Sequence, residues 1–101
     1  MESANFFDLA IVYYKDKVQQ ELLEEFRVES RLLLEADADA RRSMAREDIM
    51  VMARLKIELE KFKFTYNKLS GTCGSIDAID EYLREIELKV KKLSYRKNNI
   101  K

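Results

Sequence analysis

Large apolar side chains recur every three or four residues along the first third of the chain. This row consists of Phe7, Ile11, Tyr14, Val18, Leu22 and Phe26. The spacing places all of them on one face of an α-helix, because a helix completes a turn every ~3.6 residues. We therefore predict a first long helix over about residues 4–35.

The next segment, residues 36–43, has no large apolar side chain, but it also has no glycine or proline. Two interpretations follow. Either the chain turns here and Asp37, Asp39 or Ser43 caps the next helix, or the alanines carry one helix on to about residue 69. A continuous helix would be ~100 Å long and would require a partner along its length.

Two apolar rows run through residues 44–69. The first alternates intervals of three and four, as in a heptad repeat, and consists of Met52, Leu55, Leu59, Phe62, Tyr66 and Leu69. The second lies off the first and consists of Met50, Ala53, Ile57 and Phe64. A helix with two apolar faces is typical of the centre of a bundle, where it contacts one neighbour on each side.

A clear loop signal follows in residues 70–75. Gly71 suits the left-handed conformation that ends a helix, and Ser75 is a good cap for the next one. Heptad spacing then predicts a last helix over 76–97, followed by a basic tail, 98–101. Because the connection is short, we expect this helix to run antiparallel to the preceding one.

These elements define an all-α fold. A length of 101 residues favours a single domain, and 47% hydrophobic residues are too many for a disordered chain. We expect a long N-terminal helix followed by an antiparallel helical hairpin. The helices pack either as a three-helix bundle or as hairpins paired in a dimeric bundle.

The residue types present argue against an enzyme. The chain has no histidine, which removes the commonest acid–base catalyst and metal ligand. The acidic run of Glu21, Glu24, Glu25 and Glu29 is interpreted as a solvated helix face, and Cys73 as a small side chain in an exposed loop. The pattern Gly71-x-x-Gly74-Ser75 is only a weak anion-binding signal. We predict no catalytic residue, metal or cofactor.

The charges balance over the whole chain but not along it. Nineteen basic and nineteen acidic residues cancel. The last helix is basic at its end, where the candidate polyanion contacts are Lys89, Lys91, Lys92, Arg96 and Lys97. Such a cluster is typical of nucleic-acid binding, but cations are also favoured at a helix C-terminus by the helix dipole. Nucleic-acid binding is therefore the alternative function.

The N-terminal aromatic cluster is the strongest functional signal. Its apolar side chains surround every side of the first helix, and those predicted to lie in a protein interface are Phe6, Phe7, Leu9, Ile11, Tyr13 and Tyr14. A monomeric bundle would leave part of this cluster exposed, and its burial by another chain would be favourable. We therefore predict a non-enzymatic interaction subunit, adaptor or regulator. Its expected partners are a second copy, with a dimer favoured, and a larger protein.

The single cysteine favours a reducing compartment, because a small secreted domain would carry paired cysteines. The apolar stretch 6–14 is far shorter than the ~20 residues that span a bilayer, and no basic segment precedes it. We expect an intracellular protein, cytoplasmic or nuclear, with no membrane span and no signal peptide.

Overall fold

Over the residues that it describes, the computed structural model is all-helical, which confirms the predicted all-α class. This part of the chain forms four helices, which are Glu2–Tyr14 (α1), Gln20–Ser43 (α2), Ile49–Cys73 (α3) and Asp77–Asn99 (α4). The structure describes residues 2–43 and 49–99, with side chains for 7–42 and 49–91. The helices pack together as a bundle around one apolar core.

The first long helix of the prediction is wrong, because residues 15–19 separate α1 from α2. The turn has backbone hydrogen bonds from Lys15 N to the Val12 carbonyl and from Lys17 N to the Tyr14 carbonyl. No glycine or proline marks it. Burial is the physical reason for the break. In one straight helix Phe7 and Phe26 would be about 28 Å apart, whereas here their ring centroids are 6.4 Å apart.

One aromatic side chain from each helix meets at the centre of the bundle. The ring of Phe7 in α1 makes edge contacts with Phe62 in α3 at 5.2 Å and with Tyr82 in α4 at 5.4 Å. Phe26 in α2 lies 5.4 Å from Phe62. Edge-to-face pairs of this kind add to the stabilisation from burial alone. The core therefore joins all four helices through a single aromatic cluster.

Neither interpretation of residues 36–43 is correct. These residues are helical and form the last two turns of α2. A continuous helix on to residue 69 is also excluded, because Arg54 Nη1 lies 3.0 Å from Asp39 Oδ2. Fifteen residues of straight helix would separate these two positions by about 22 Å. The direction of the chain therefore changes between α2 and α3, and residues 44–48 lie outside the described part.

The loop before α4 is shorter than predicted. The sequence pattern ends the third helix at residue 69 with Gly71 as its stop, but α3 continues through Gly71 to Cys73. Gly74 takes the left-handed position, with a φ of 102°, and its N–H bonds to the Ser70 carbonyl at 2.8 Å. A backbone with positive φ favours glycine because it has no Cβ to clash.

The last helix begins and ends close to its predicted limits. It runs from Asp77 to Asn99, so residues 98 and 99 of the predicted basic tail are helical, and residues 100–101 lie outside the description. Lys63 of α3 forms an ion pair with Glu87 of α4, and Tyr66 of α3 bonds Asp80 near the start of α4. The contacts run in opposite order along the two helices, as they do between antiparallel neighbours.

Candidate interaction surfaces

The structure divides the N-terminal cluster into a buried half and an exposed half. Phe7 and Tyr14 are 2% and 0% exposed, and Ile11 is also buried in the chain's own core. Leu9 and Tyr13 point outward, with Leu9 71% exposed. Val12 is exposed beside them. The side chain of Phe6 lies outside the described part.

This division changes which residues of the cluster can meet another molecule. Phe7, Ile11 and Tyr14 already contact α2, α3 or α4, so a charged substitution there would disrupt folding before it disrupted an interface. Leu9, Val12 and Tyr13 are the members that remain accessible. We call these three the α1 surface.

A shallow apolar groove borders the α1 surface. It has a volume of about 380 Å³ and lies between α1 and the start of α4. Its walls consist of Leu9, Ala10, Tyr13, Ser75, Ile76 and Ala78. Five of these six side chains are apolar or aromatic, so the groove suits an apolar side chain of a partner helix.

The second apolar row of α3 lies on its exposed side. Ile57 is 55% exposed and Phe64 is 63% exposed, while Ala53 and Met50 are exposed in line with them. We call these four the outer row. The sequence pattern predicts a neighbour on each side of this helix, but among the described residues the first row is buried and the outer row is exposed. That first row supplies Leu55, Leu59, Phe62, Tyr66 and Leu69 to the core.

Charged side chains border the outer row. Lys56, Glu60, Lys61 and Lys68 are all exposed. The ammonium group of Lys68 lies 4.4 Å from the centre of the Phe64 ring, which is a cation–π contact. The outer row is therefore an apolar line with a predominantly basic border.

Sequence reasoning missed a buried carboxylate at the end of α2. Asp37 is 2% exposed. It accepts hydrogen bonds from Lys89 Nζ at 2.8 Å, Arg41 Nη2 at 3.0 Å and the Tyr82 hydroxyl at 3.2 Å. Burial, followed by the negative charge of Asp37, raises the pKa of Tyr82. The contacts join α2 to α4, and the alanines on either side of Asp37 are the only sequence signal of close approach.

The same contact removes one cation from the predicted polyanion site. Lys89 is held by Asp37, whereas Lys91 is exposed. The side chains of Lys92, Arg96 and Lys97 lie outside the described part. Among the predicted polyanion contacts whose side chains are described, Lys91 is therefore the one that is exposed.

Two buried tyrosines fix the connection between α3 and α4. The hydroxyl of Tyr14 donates to the Gly74 carbonyl at 2.8 Å. The hydroxyl of Tyr66 accepts from the Ile76 N–H at 2.8 Å and donates to Asp80 Oδ1 at 2.9 Å. Burial is the main cause that raises the pKa of both phenols. These bonds give the tyrosines a structural role.

Cys73 ends α3 and is partly buried, not in an exposed loop as predicted. Its Sγ lies 3.4 Å from the Lys17 carbonyl oxygen, in the turn that joins α1 and α2. The contact joins the turn between α1 and α2 to the end of α3, next to the loop that leads into α4.

Glu29 departs from the solvated acidic face predicted for this part of α2. It is half-buried, and its Oε1 has no hydrogen-bond partner among the described residues; the same holds for Oε1 of Glu58 in α3. Burial raises the pKa of Glu29, and the negative charge of Glu58 raises it further, against a smaller opposing effect of Lys61. The carboxyl group of Glu29 is therefore less favourable in its charged form here than it would be in water.

Two further findings concern ligands and membranes. Within residues 2–43 and 49–99, no three or more Asp, Glu or Cys side chains come together in a way that would hold a metal ion. Over the same residues, none of the helices combines the length and the apolar character that crossing a bilayer requires.

Comparisons with protein-family models, with curated proteins and with solved structures found no match to this chain.

Proposed function

We propose that the chain is a non-enzymatic interaction module, an adaptor or regulatory subunit, that binds through apolar helix faces and associates with copies of itself. The observation that carries the proposal is the outer row of α3. Its large apolar side chains stay exposed after the same helix has supplied five residues to the core. We further infer an intracellular setting from the single cysteine.

Spacing distinguishes this row from ordinary surface exposure. Isolated apolar side chains on a protein surface are common and carry no functional meaning. Met50, Ile57 and Phe64, however, are separated by seven residues each. Intervals of seven keep side chains on nearly the same side of a helix, and they are the repeat with which helices dock on one another.

The α1 surface supports the same function from another part of the molecule. Leu9, Val12 and Tyr13 lie on the first helix, next to the groove that α1 forms with the start of α4. An aromatic side chain with a polar tip, such as Tyr13, is enriched at protein interfaces because it is amphipathic and rigid. The molecule therefore offers two surfaces of the same chemical class.

The proposal is tested by placing lysine on each surface separately. One variant carries Leu9→Lys and Val12→Lys, and another carries Ile57→Lys and Phe64→Lys. A control carries Glu24→Lys and Glu25→Lys on the exposed side of α2. Each protein is assayed for self-association by sedimentation velocity, and for proteins retained from an extract of the cells that make it.

We expect at least one of the two surface variants to lose self-association or a retained protein that the wild type and the control keep. All variants should show the same helical circular dichroism, since every substituted side chain is exposed. The proposal is wrong if the wild type stays monomeric and both surface variants retain every protein that the wild type retains.

A further inference from the structure

The outer row of α3 has a symmetry that the α1 surface lacks. Ile57 lies at its centre, and Met50 and Phe64 each lie seven residues away. From Met50 to Phe64 the row is about 21 Å long at 1.5 Å per residue. A row with its own central residue can meet an identical row across a two-fold axis.

We propose that the outer row is the contact between two copies of this chain, with α3 of one copy packed antiparallel on α3 of the other and the two-fold axis at Ile57. The inference rests on the interaction function proposed above. It specifies the surface that binds, the relative orientation of the two helices, and a second copy of the chain as the partner.

In this register, a residue that precedes Ile57 by a given number of positions faces the residue that follows it by the same number. Phe64 of one copy therefore faces Met50 of the other, and Ile57 meets Ile57. Lys61 faces Ala53, whose small side chain leaves room for the lysine stem to lie across the contact. Each large apolar side chain of the row thus gains an apolar neighbour.

The charges that border the row favour the antiparallel orientation. Glu60 of one copy faces Arg54 of the other and lies close to its Lys56. Arg54 already bonds Asp39 of its own chain at 3.0 Å, so Lys56 is the cation available to Glu60. In a parallel pair each of Lys56, Glu60, Lys61 and Lys68 would face its own copy, and like charges opposite each other are destabilising.

The contact is small for a specific interface. Stable interfaces bury about 1,200–2,000 Å², and a contact that extends over only about 21 Å of one helix in each copy is expected to bury less. We therefore expect a reversible dimer whose population rises with protein concentration.

Cysteine cross-linking tests the two-fold axis directly. In a Cys73→Ser background, Ile57→Cys places one thiol of each copy at the axis, within the ~4 Å Cβ separation that a disulfide requires. We expect rapid formation of a covalent dimer under mild oxidation. Glu24→Cys in the same background, exposed on α2, gives the rate of cross-linking by random collision.

A second pair of variants distinguishes the two orientations. In the antiparallel register the two copies of Lys61 are about 12 Å apart along the helix, so Lys61→Cys alone should not cross-link. A mixture of Lys61→Cys and Ala53→Cys chains should form a mixed disulfide. Cross-linking of Lys61→Cys with itself and not with Ala53→Cys would indicate a parallel pair and overturn the proposal.

Charge reversal tests the ionic part of the contact without a thiol. Glu60→Lys or Lys56→Glu alone should raise the dimer dissociation constant by at least about fivefold, because each change breaks two symmetric pairs. The two changes combined in one chain should restore dissociation to within about twofold of the wild type, because the opposite charges again face each other. Failure of the combined variant to recover would count against the register.

The possible results separate this inference from the proposed function. Cross-linking at position 57 well above the collision rate, with the 53–61 mixed disulfide, supports it. A wild-type dimer that does not cross-link at 57 overturns it but leaves the interaction function standing on another face. A chain that stays monomeric at every concentration also overturns it, and retention of cellular proteins then decides the interaction function.

Discussion

The two faces of α3 carry similar side chains but differ almost completely in burial. Phe62 and Phe64 are two residues apart on the same helix, yet Phe62 is 0% exposed and Phe64 is 63% exposed. Leu55 and Ile57 show the same contrast. Hydrophobicity therefore does not decide which face of this helix enters the core.

The difference follows from what the other helices supply. Phe7 and Phe26 contact Phe62 on the inner side of α3, and Tyr82 packs against Phe7. The large apolar side chains of the outer row lie on the other side of α3 and stay exposed. The exposure of this apolar row is therefore a property of the assembled bundle.

The largest expected effect compares the two phenylalanines. Phe62→Ala should lower the free energy of unfolding by about 3–5 kcal/mol, because it leaves a cavity in a core shared by four helices. Phe64→Ala should change it by about 0.5 kcal/mol or less in a dilute, monomeric sample. Urea denaturation followed by circular dichroism measures both. Equal losses at the two positions would show that the outer row is buried within the monomer.

The next prediction concerns the buried carboxylate of Asp37 and tests whether the stability of the core also depends on polar contacts. Asp37→Asn should cost about 2 kcal/mol, because the Lys89 ammonium group loses its charged partner in a partly buried site. Asp39→Asn is the matched control, since Asp39 is more exposed and bonds Arg54 at the surface. Its expected loss is below about 1 kcal/mol. If the two variants unfold at the same urea concentration, Asp37 does not join α2 to α4 as described.

Tyr13 and Tyr14 allow the same comparison between an exposed and a buried side chain, here for a single hydroxyl group. Tyr14→Phe should destabilise the protein by about 1 kcal/mol, because the Gly74 carbonyl loses its hydrogen bond. Tyr13→Phe should have almost no effect, since Tyr13 is exposed. Thermal unfolding of both variants in parallel is the measurement. If Tyr13→Phe lowers the stability as much as Tyr14→Phe does, the division of the N-terminal cluster into a buried and an exposed half is wrong.

The smallest expected effect concerns Glu29 and its dependence on pH. Its pKa in the folded protein is raised above the usual 4.5, so the folded state binds its proton more tightly than the unfolded state does. Its contribution to stability is therefore most favourable below pH 4.5 and is lost as the pH rises through the folded-state pKa. Glu29→Gln should be more stable than the wild type at pH 7, by about 0.5 kcal/mol.

This gain should disappear at pH 4. Urea denaturation at the two pH values checks the sign, with Glu25→Gln as the exposed control. A stabilisation of Glu29→Gln that is larger at pH 4 than at pH 7 would reverse the expected linkage.

Much of the fold was predictable because helical periodicity is a local property. The rows that contain Phe7, Phe26, Phe62 and Ile79 all correspond to buried faces. The break after Tyr14 was not predictable, since the row continues through it at helical spacing and no glycine or proline interrupts it. It forms because a folded-back α1 buries more apolar surface than a straight helix would.

The candidate site was predictable only in part. Leu9 and Tyr13 of the expected interface are exposed, but Phe7, Ile11 and Tyr14 are in the core. The outer row was visible in the sequence as an apolar line, and its exposure was not. A pattern of apolar residues records which side chains avoid water, without recording whether the same chain or another one covers them.

The sequence by itself determined that this protein is helical, where most of its apolar faces lie, and that its chemistry lacks histidine and paired cysteines. Only the tertiary structure decided which half of the aromatic cluster is buried, that Asp37 holds Lys89, and that the outer row of α3 is exposed. The reason is physical: helix formation depends on residues three and four positions apart, whereas burial depends on which distant surfaces fit together first.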